Sequence, residues 1–176
     1  MPVDRRANRI NLGLLQLGAA GPLLAAAFDR HALGIGLSWI AVLLAIAVSR
    51  RRSRDLRLLL AGAAIGTVGE TVLALAGLMP FVHPLSPLPF PAWLPSSWAL
   101  IGTTTAYALH PLRARPLVGL IVGTLVGVAS LYGAMRAGEV TIPHSAYSVV
   151  ISIWLGTLIA ALLITARRID PDNAQL

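Results

Sequence analysis

The chain has 176 residues, of which 56% are hydrophobic and 12% are charged. A soluble domain averages about 25% charged residues, so this composition excludes a water-facing surface over most of the chain. The net charge of +7 comes from arginines at the ends of apolar stretches, which indicates orientation in a membrane rather than binding to nucleic acid.

Six apolar stretches follow one another along the chain, each near the roughly 20 residues that cross a bilayer as a helix. Lipid leaves no water for unpaired backbone groups, and the alternation typical of a β-barrel is absent, so helices are favoured. The sequence therefore predicts one all-α integral membrane domain over residues 1–176, a polytopic bundle of about six helices. The predicted spans are 10–28, 32–48, 58–79, 93–110, 117–135 and 146–166.

The arginines predict the orientation of this bundle. Twelve of the 14 fall on one side, and Arg30 and Arg136 fall on the other. The positive-inside rule assigns the arginine-rich side, with both termini, to the cytoplasm. An odd number of spans would place some of the arginine-rich connections on the opposite side, so the distribution of charge also favours six. The use of arginine without lysine hints at a bacterial genome, and we expect a multi-pass protein of the bacterial inner membrane.

A weak internal repeat accompanies the six spans. Trp39, Trp98 and Trp154 lie at similar depths in three helices that run from outside to inside. The segment from Gly62 to Gly66 in the third span also matches that from Gly119 to Gly123 in the fifth. The pattern suggests three two-helix repeats. The alternative is coincidence, because glycine and tryptophan are frequent in membrane helices.

Glu70 is the one ionisable side chain well inside a predicted span. A charge at that depth costs roughly 2.5–3.5 kcal/mol by insertion scales, so such residues usually face the bundle interior and have a function. The spacing from Gly62 and Gly66 places Glu70 on a face that packs against other helices. We predict a catalytic or proton-binding carboxyl group. The alternative is a protonated carboxyl group that links two helices by a hydrogen bond.

Other polar side chains within the spans are candidates to meet Glu70. Amides are costly to bury, which makes the two in the first span informative. Serine, threonine and tyrosine in the fourth span add hydroxyl groups, although such hydroxyls often bond to their own backbone. The predicted substrate-binding residues are Asn11, Gln16, Ser97, Thr104 and Tyr107.

No metal and no cofactor are predicted. The chain contains no cysteine, which excludes thiolate ligands and disulfides. Three histidines, His31, His83 and His144, fall in predicted external loops. They could ligate zinc together, but their spacing fits no known metal motif, and isolated loop histidines are usually solvated. Phosphate-binding, dinucleotide-binding, nucleophile-elbow and HExxH motifs are also absent from the sequence.

Several of these segments resemble a family of small bacterial inner-membrane proteins known only as a domain of unknown function. The similarity lies in the segment from Asn11 to Gly18, in an acid in the third helix, in Pro-Ala-Trp-Leu at 91–94, and in Arg115-Pro116. The resemblance implies a similar length and helix count. Members are often encoded near fatty-acid-modifying enzymes, which implies a link to lipids by association.

The chain departs from that family's pattern at two places. The family's acid is usually aspartate, where this chain has Glu70. The family's fourth helix usually carries an Asn-His pair, where this chain has Ala106-Tyr107. If that pair is catalytic, its absence implies a lost or changed activity. The resemblance therefore implies no particular reaction.

Three functions remain open at this stage. The first is handling or helping to modify a lipid or small hydrophobic substrate at a polar site around Glu70. The second is proton-coupled transport, in which Glu70 carries the proton and the chain forms a homo-oligomer. The third is a membrane scaffold or assembly factor without a ligand. The expected partners are the bilayer, a lipid or hydrophobic small molecule, and a second copy of the chain, but not nucleic acid.

Overall fold

The computed structural model describes residues 5–49 and 51–171, which are mostly helical. Two α-helices, α1 and α2, are joined by a π-helical turn and together form one interrupted first helix. Five further α-helices follow, and a short 3-10 turn lies after α5. The bounds are Arg5–Leu15 (α1), Gln16–Ala20 (π turn), Gly21–Ala26 (α2), His31–Val48 (α3), Arg52–Leu75 (α4), Leu94–Thr104 (α5), His110–Leu112 (3-10 turn), Pro116–Arg136 (α6) and Tyr147–Ile169 (α7).

This arrangement confirms the predicted all-α class. Four helices, α3, α4, α6 and α7, are long and apolar enough to cross a membrane. Strands are absent from the described residues, and the one extended pairing is an isolated antiparallel bridge between Phe81 and Val140. Large apolar side chains such as Leu43, Leu117 and Leu125 are exposed on the helix surfaces. Such a surface suits lipid better than water.

Helix α5 is much shorter than the fourth predicted span, 93–110. It has eleven residues, which gives a length of about 16 Å against a hydrocarbon core of about 30 Å. After Thr104 the chain turns tightly, with Thr105 N–H donating to Gly102 O and Ala106 N–H to Thr103 O. Nine of its eleven residues are buried, so α5 lies in the interior of the bundle rather than at its surface.

The long helix α4 ends four residues earlier than the predicted span. Gly77 has a φ of +68°, a left-handed conformation that glycine adopts without strain. Leu78 N–H then donates to Leu73 O, which closes the helix end. Gly138 has a φ of +74°, and Glu139 N–H donates to Ala134 O, so α6 ends by the same arrangement. This second cap sets the position of Glu139.

Close packing through glycine joins each of the later helix pairs. A Cβ on Gly62 of α4 would lie 2.9 Å from the Cα of Gly102 in α5. A Cβ on Gly123 of α6 would lie 3.0 Å from the Cα of Gly156 in α7. Small residues allow this approach of two backbones, which is how membrane helices associate. The chain thus folds as three successive hairpins: the first helix with α3, α4 with α5, and α6 with α7. The three-copy internal repeat stays a prediction.

Candidate functional site

A cavity of about 130 Å³ lies between α4, α5, α6 and α7, and the first helix contributes part of its wall. Most of its lining is apolar, with Leu23, Met79 and Ile101 as examples. Among the described residues that line it, Glu70 is the one with an ionisable side chain. The cavity therefore offers an apolar volume with a single carboxyl group.

Glu70 is held in this cavity by Trp98. The indole Nε1–H of Trp98 donates to Glu70 Oε1 at 2.6 Å. The sequence allows this contact because Gly66 lies one turn before Glu70, and a Cβ at Gly66 would overlap the indole ring. Trp98 is the one hydrogen-bond partner of Glu70 among the described residues, which leaves Oε2 available to a ligand. The predicted packing face of Glu70 thus turns toward the cavity.

Ser97 lines the same cavity but also has a structural role. Pro22 has no N–H, so the carbonyl of Gly18, four residues earlier, lacks the donor that an α-helix would provide. Ser97 Oγ donates to Gly18 O at 2.7 Å, and Ser38 Oγ donates to the same oxygen at 2.8 Å. Serine hydroxyls often satisfy backbone groups freed by proline in membrane helices. Both serines therefore stabilise the π-helical interruption of the first helix.

We expect the two hydroxyls to compensate for each other. Ser38→Ala or Ser97→Ala leaves one donor on Gly18 O and should cost about 0.6 kcal/mol. The double variant leaves a buried carbonyl unpaired and should cost about 2 kcal/mol, more than the sum of the two. Thermal unfolding in detergent measures the stability of wild type, both single variants and the double variant. Thr157→Ala is the control, because it removes an exposed hydroxyl that donates only to its own helix backbone. Additive losses would contradict the shared acceptor.

The other predicted site residues do not meet Glu70. Asn11 is buried, and its Nδ2 donates to Thr103 Oγ1 at 3.1 Å, on the side of α5 that faces α1. Thr104 Oγ1 donates to Leu100 O at 2.8 Å, within its own helix. Gln16 begins the π-helical turn and is exposed. Of the predicted polar set, the structure therefore brings Ser97 to the Glu70 cavity.

Tyr107 belongs to a polar cluster at the end of the bundle predicted to be cytoplasmic. Its hydroxyl donates to Asp55 Oδ2 at 2.6 Å, and the same oxygen accepts a hydrogen bond from Ser49 Oγ at 2.6 Å. Arg54 Nε donates to Asp55 Oδ1 at 2.8 Å, and Arg54 Nη2 donates to the Tyr107 oxygen at 3.1 Å. Asp55 is 3% exposed. We call this group the Asp55 cluster.

Arg113 and Asp170 extend the Asp55 cluster to the third hairpin. Arg113 is 1% exposed, and its Nε donates to Thr105 O at 2.8 Å, which caps the end of α5. Asp170 Oδ2 lies 3.3 Å from both Arg113 Nη1 and Arg54 Nη1. Burial lowers the pKa of Arg113, while the hydrogen bond and charge of Asp170 oppose that shift. The cluster thus links residues from all three hairpins.

A second polar group lies at the opposite end, and we call it the Glu139 cluster. Glu139 is 1% exposed, and its Oε1 lies 2.9 Å from His31 Nδ1 and 3.9 Å from His83 Nδ1. Trp93 Nε1–H donates to Glu139 Oε2 at 3.2 Å. Because Trp93 also lines the cavity, this cluster lies next to one end of it. Three of its side chains, those of His31, His83 and Glu139, are close enough together to hold a metal ion. They are the one such group of His, Cys, Asp or Glu among the described residues.

Sequence reasoning missed most of these contacts. The sequence around Glu139 did not indicate its contacts, because a single acidic residue after the end of a helix is common. Pro22 did carry a signal, since a proline inside a span frees the carbonyl four residues before it. Asp55 was also informative, as an acid among arginines at a helix start is favoured by the helix dipole.

The described residues thus form an all-helical protein with four helices long and apolar enough to span a membrane and a mostly apolar internal cavity. The chain belongs to the family described as protein of unknown function (DUF2878), whose model matches residues 8–163. This match confirms the resemblance to a family of unknown function. No curated protein and no solved structure matches the chain.

Proposed function

We propose that the chain is a six-crossing protein of the bacterial inner membrane, with both termini in the cytoplasm. The four apolar helices support four of the crossings. The interrupted first helix supplies another, and α5 with its turns through Leu112 supplies the sixth. Non-helical backbone at membrane depth is tolerated where protein buries it, and Thr105 and Ala106 are buried. The arginine distribution supports the orientation.

The function proposed for the cavity is to bind the apolar part of a lipid or a hydrophobic small molecule. The observation that carries this proposal is the pairing of an apolar volume with one carboxyl group, Glu70, fixed by Trp98. Ligand pockets typically combine an apolar lining with a few placed polar groups that orient the ligand. Oε2 of Glu70 would accept a hydrogen bond from a hydroxyl or amine of the bound molecule.

Access to this cavity runs along α6. Val126 and Ser130 line the cavity and are also exposed on the outer surface of the bundle. Leu23 and Ala19 of the first helix form the facing wall. A molecule dissolved in the bilayer would therefore enter sideways, between the first helix and α6, without passing through water.

We expect the purified chain to retain a lipid or hydrophobic molecule that depends on this opening. Ser130→Trp places a large side chain at the cavity mouth and should reduce the retained molecule about tenfold. Val128→Trp, on a neighbouring exposed position of α6 that does not line the cavity, is the matched control. Mass spectrometry of extracts from protein purified in mild detergent measures both. Equal retention by wild type and Ser130→Trp would contradict binding in the cavity.

Glu70→Gln tests the carboxyl group separately. Lipid profiles of host cells without the gene, with it, and with Glu70→Gln should show a species that changes with the gene and reverts in the variant. Matched profiles, together with pH-driven solute uptake that Glu70→Gln abolishes, would replace this proposal with proton-coupled transport. If lipids and fluxes are unchanged and partner binding alone differs, the chain is a scaffold.

A further inference from the structure

The Glu139 cluster contains more than a hydrogen-bonded ion pair requires. His31 Nδ1 at 2.9 Å would be a sufficient partner for the Glu139 carboxyl group. A second imidazole, that of His83, lies beside the first with ring centroids 4.2 Å apart. Two protonated imidazoles this close would repel each other, whereas two neutral ones beside a carboxylate form a familiar set of metal ligands.

The three side chains come from distant parts of the sequence, and backbone contacts join two of the segments that carry them. His31 is the first residue of α3, His83 lies in the loop after α4, and Glu139 follows the cap of α6. Val82 N–H donates to Glu139 O at 2.9 Å, next to the bridge between Phe81 and Val140. This pairing fixes the loop of His83 against the segment of Glu139.

We propose that His31, His83 and Glu139 bind a divalent transition-metal ion of the Zn²⁺ type. One ligand atom from each residue lies within 4.8 Å of the other two. Tetrahedral ligands about 2.0–2.1 Å from zinc lie roughly 3.3 Å from one another, so small side-chain rotations are enough to close the site. Imidazole nitrogen and carboxylate oxygen are ligands that zinc accepts.

The surroundings of Glu139 support a metal site rather than a surface ion pair. Its carboxyl group is 1% exposed, and Trp93 Nε1–H holds the second oxygen at 3.2 Å. Hydrogen bonds from groups outside the ligand set orient ligands in this way in metal sites. Three protein ligands leave a fourth tetrahedral position open, as in catalytic rather than structural zinc sites.

The test is zinc binding by the full chain purified in detergent and stripped with a chelator. We expect one Zn²⁺ per chain by isothermal titration and metal analysis. His83→Ala and Glu139→Gln should each weaken binding about 100-fold or more, and Trp93→Phe about tenfold. His83 has a side chain that is 52% exposed, so its removal should leave the fold intact. Glu139→Gln keeps the shape of the side chain and an acceptor for Trp93.

His144→Ala is the matched control, because His144 is also a predicted external histidine but lies outside the Glu139 cluster. It should bind zinc as wild type does. Co²⁺ provides a second measurement, since a site with imidazole and carboxylate ligands gives visible absorption bands that His83→Ala should remove. The proposal is overturned if wild type binds zinc no more tightly than His83→Ala, or if His144→Ala loses the ion equally. Neither result depends on whether the cavity binds a lipid.

Discussion

Asp55→Asn should lower the free energy of unfolding by about 3 kcal/mol, the largest effect expected from any single change in the chain. The Asp55 carboxyl group accepts hydrogen bonds from Ser49, Arg54 and Tyr107 while being 3% exposed. Removing its charge leaves the guanidinium of Arg54 without its closest anion. Breaking a buried pair from one side costs far more than the pair contributes, because the remaining charge stays desolvated.

The measurement is thermal unfolding in detergent, where we expect a decrease in Tm on the order of 10 °C. Asp29→Asn is the matched control, because Asp29 is exposed in the turn after α2 and asparagine also tolerates its φ of +55°. Its Tm should equal that of wild type. Equal Tm values for both variants would show that the Asp55 cluster is not a stabilising feature.

Gly102→Ala should cost about 2–3 kcal/mol, by forcing α4 and α5 apart. A Cβ on Gly102 would overlap the carbonyl oxygen of Leu58, and it would lie 3.0 Å from the Cα of Gly62. Both obstacles are backbone atoms, which cannot rotate away as a side chain can. The separation would also move Trp98 relative to Glu70, so we expect Gly102→Ala to reduce ligand retention together with stability.

Gly36→Ala is the control for this substitution. Gly36 lies inside α3, and a Cβ there would meet nothing within 4 Å. Because alanine is the better helix former, this variant should be as stable as wild type or more stable by about 0.5 kcal/mol. Thermal unfolding or chemical cross-linking should distinguish Gly102→Ala from Gly36→Ala. If both alanines behave alike, close packing of α4 on α5 is not what requires Gly102.

Most of the helices could be predicted because lipid restricts the backbone so strongly. Apolar stretches such as 32–48 and 117–135 are close to α3 and α6, since glycine, proline and arginine mark their ends. The fourth span, 93–110, was harder. Its apolar composition predicts one continuous helix, but α5 ends at Thr104, and the buried guanidinium of Arg113 donates to Thr105 O just beyond that end.

The candidate site was predicted less well than the fold. Glu70 stood out because a carboxyl group inside a span is costly. Gln16 was also a candidate, because an amide is costly to bury, but it begins the π-helical turn and is exposed. The Glu139 cluster depends on His31, His83 and Glu139, which are each more than 50 residues apart in the sequence and lie on separate elements. Only the tertiary arrangement of the three hairpins brings them together.

Both polar clusters depend on the third hairpin, which is formed by α6 and α7. Glu139 and Asp170 flank α7, while their partners Arg54, Arg113 and His31 belong to earlier segments. The first two hairpins alone would therefore leave Arg113 without the carboxylate of Asp170 and His31 without the carboxylate of Glu139. The third hairpin supplies one carboxylate at each end of the bundle, that of Glu139 and that of Asp170. The third hairpin is thus the part of the described chain that ties both ends of the bundle together.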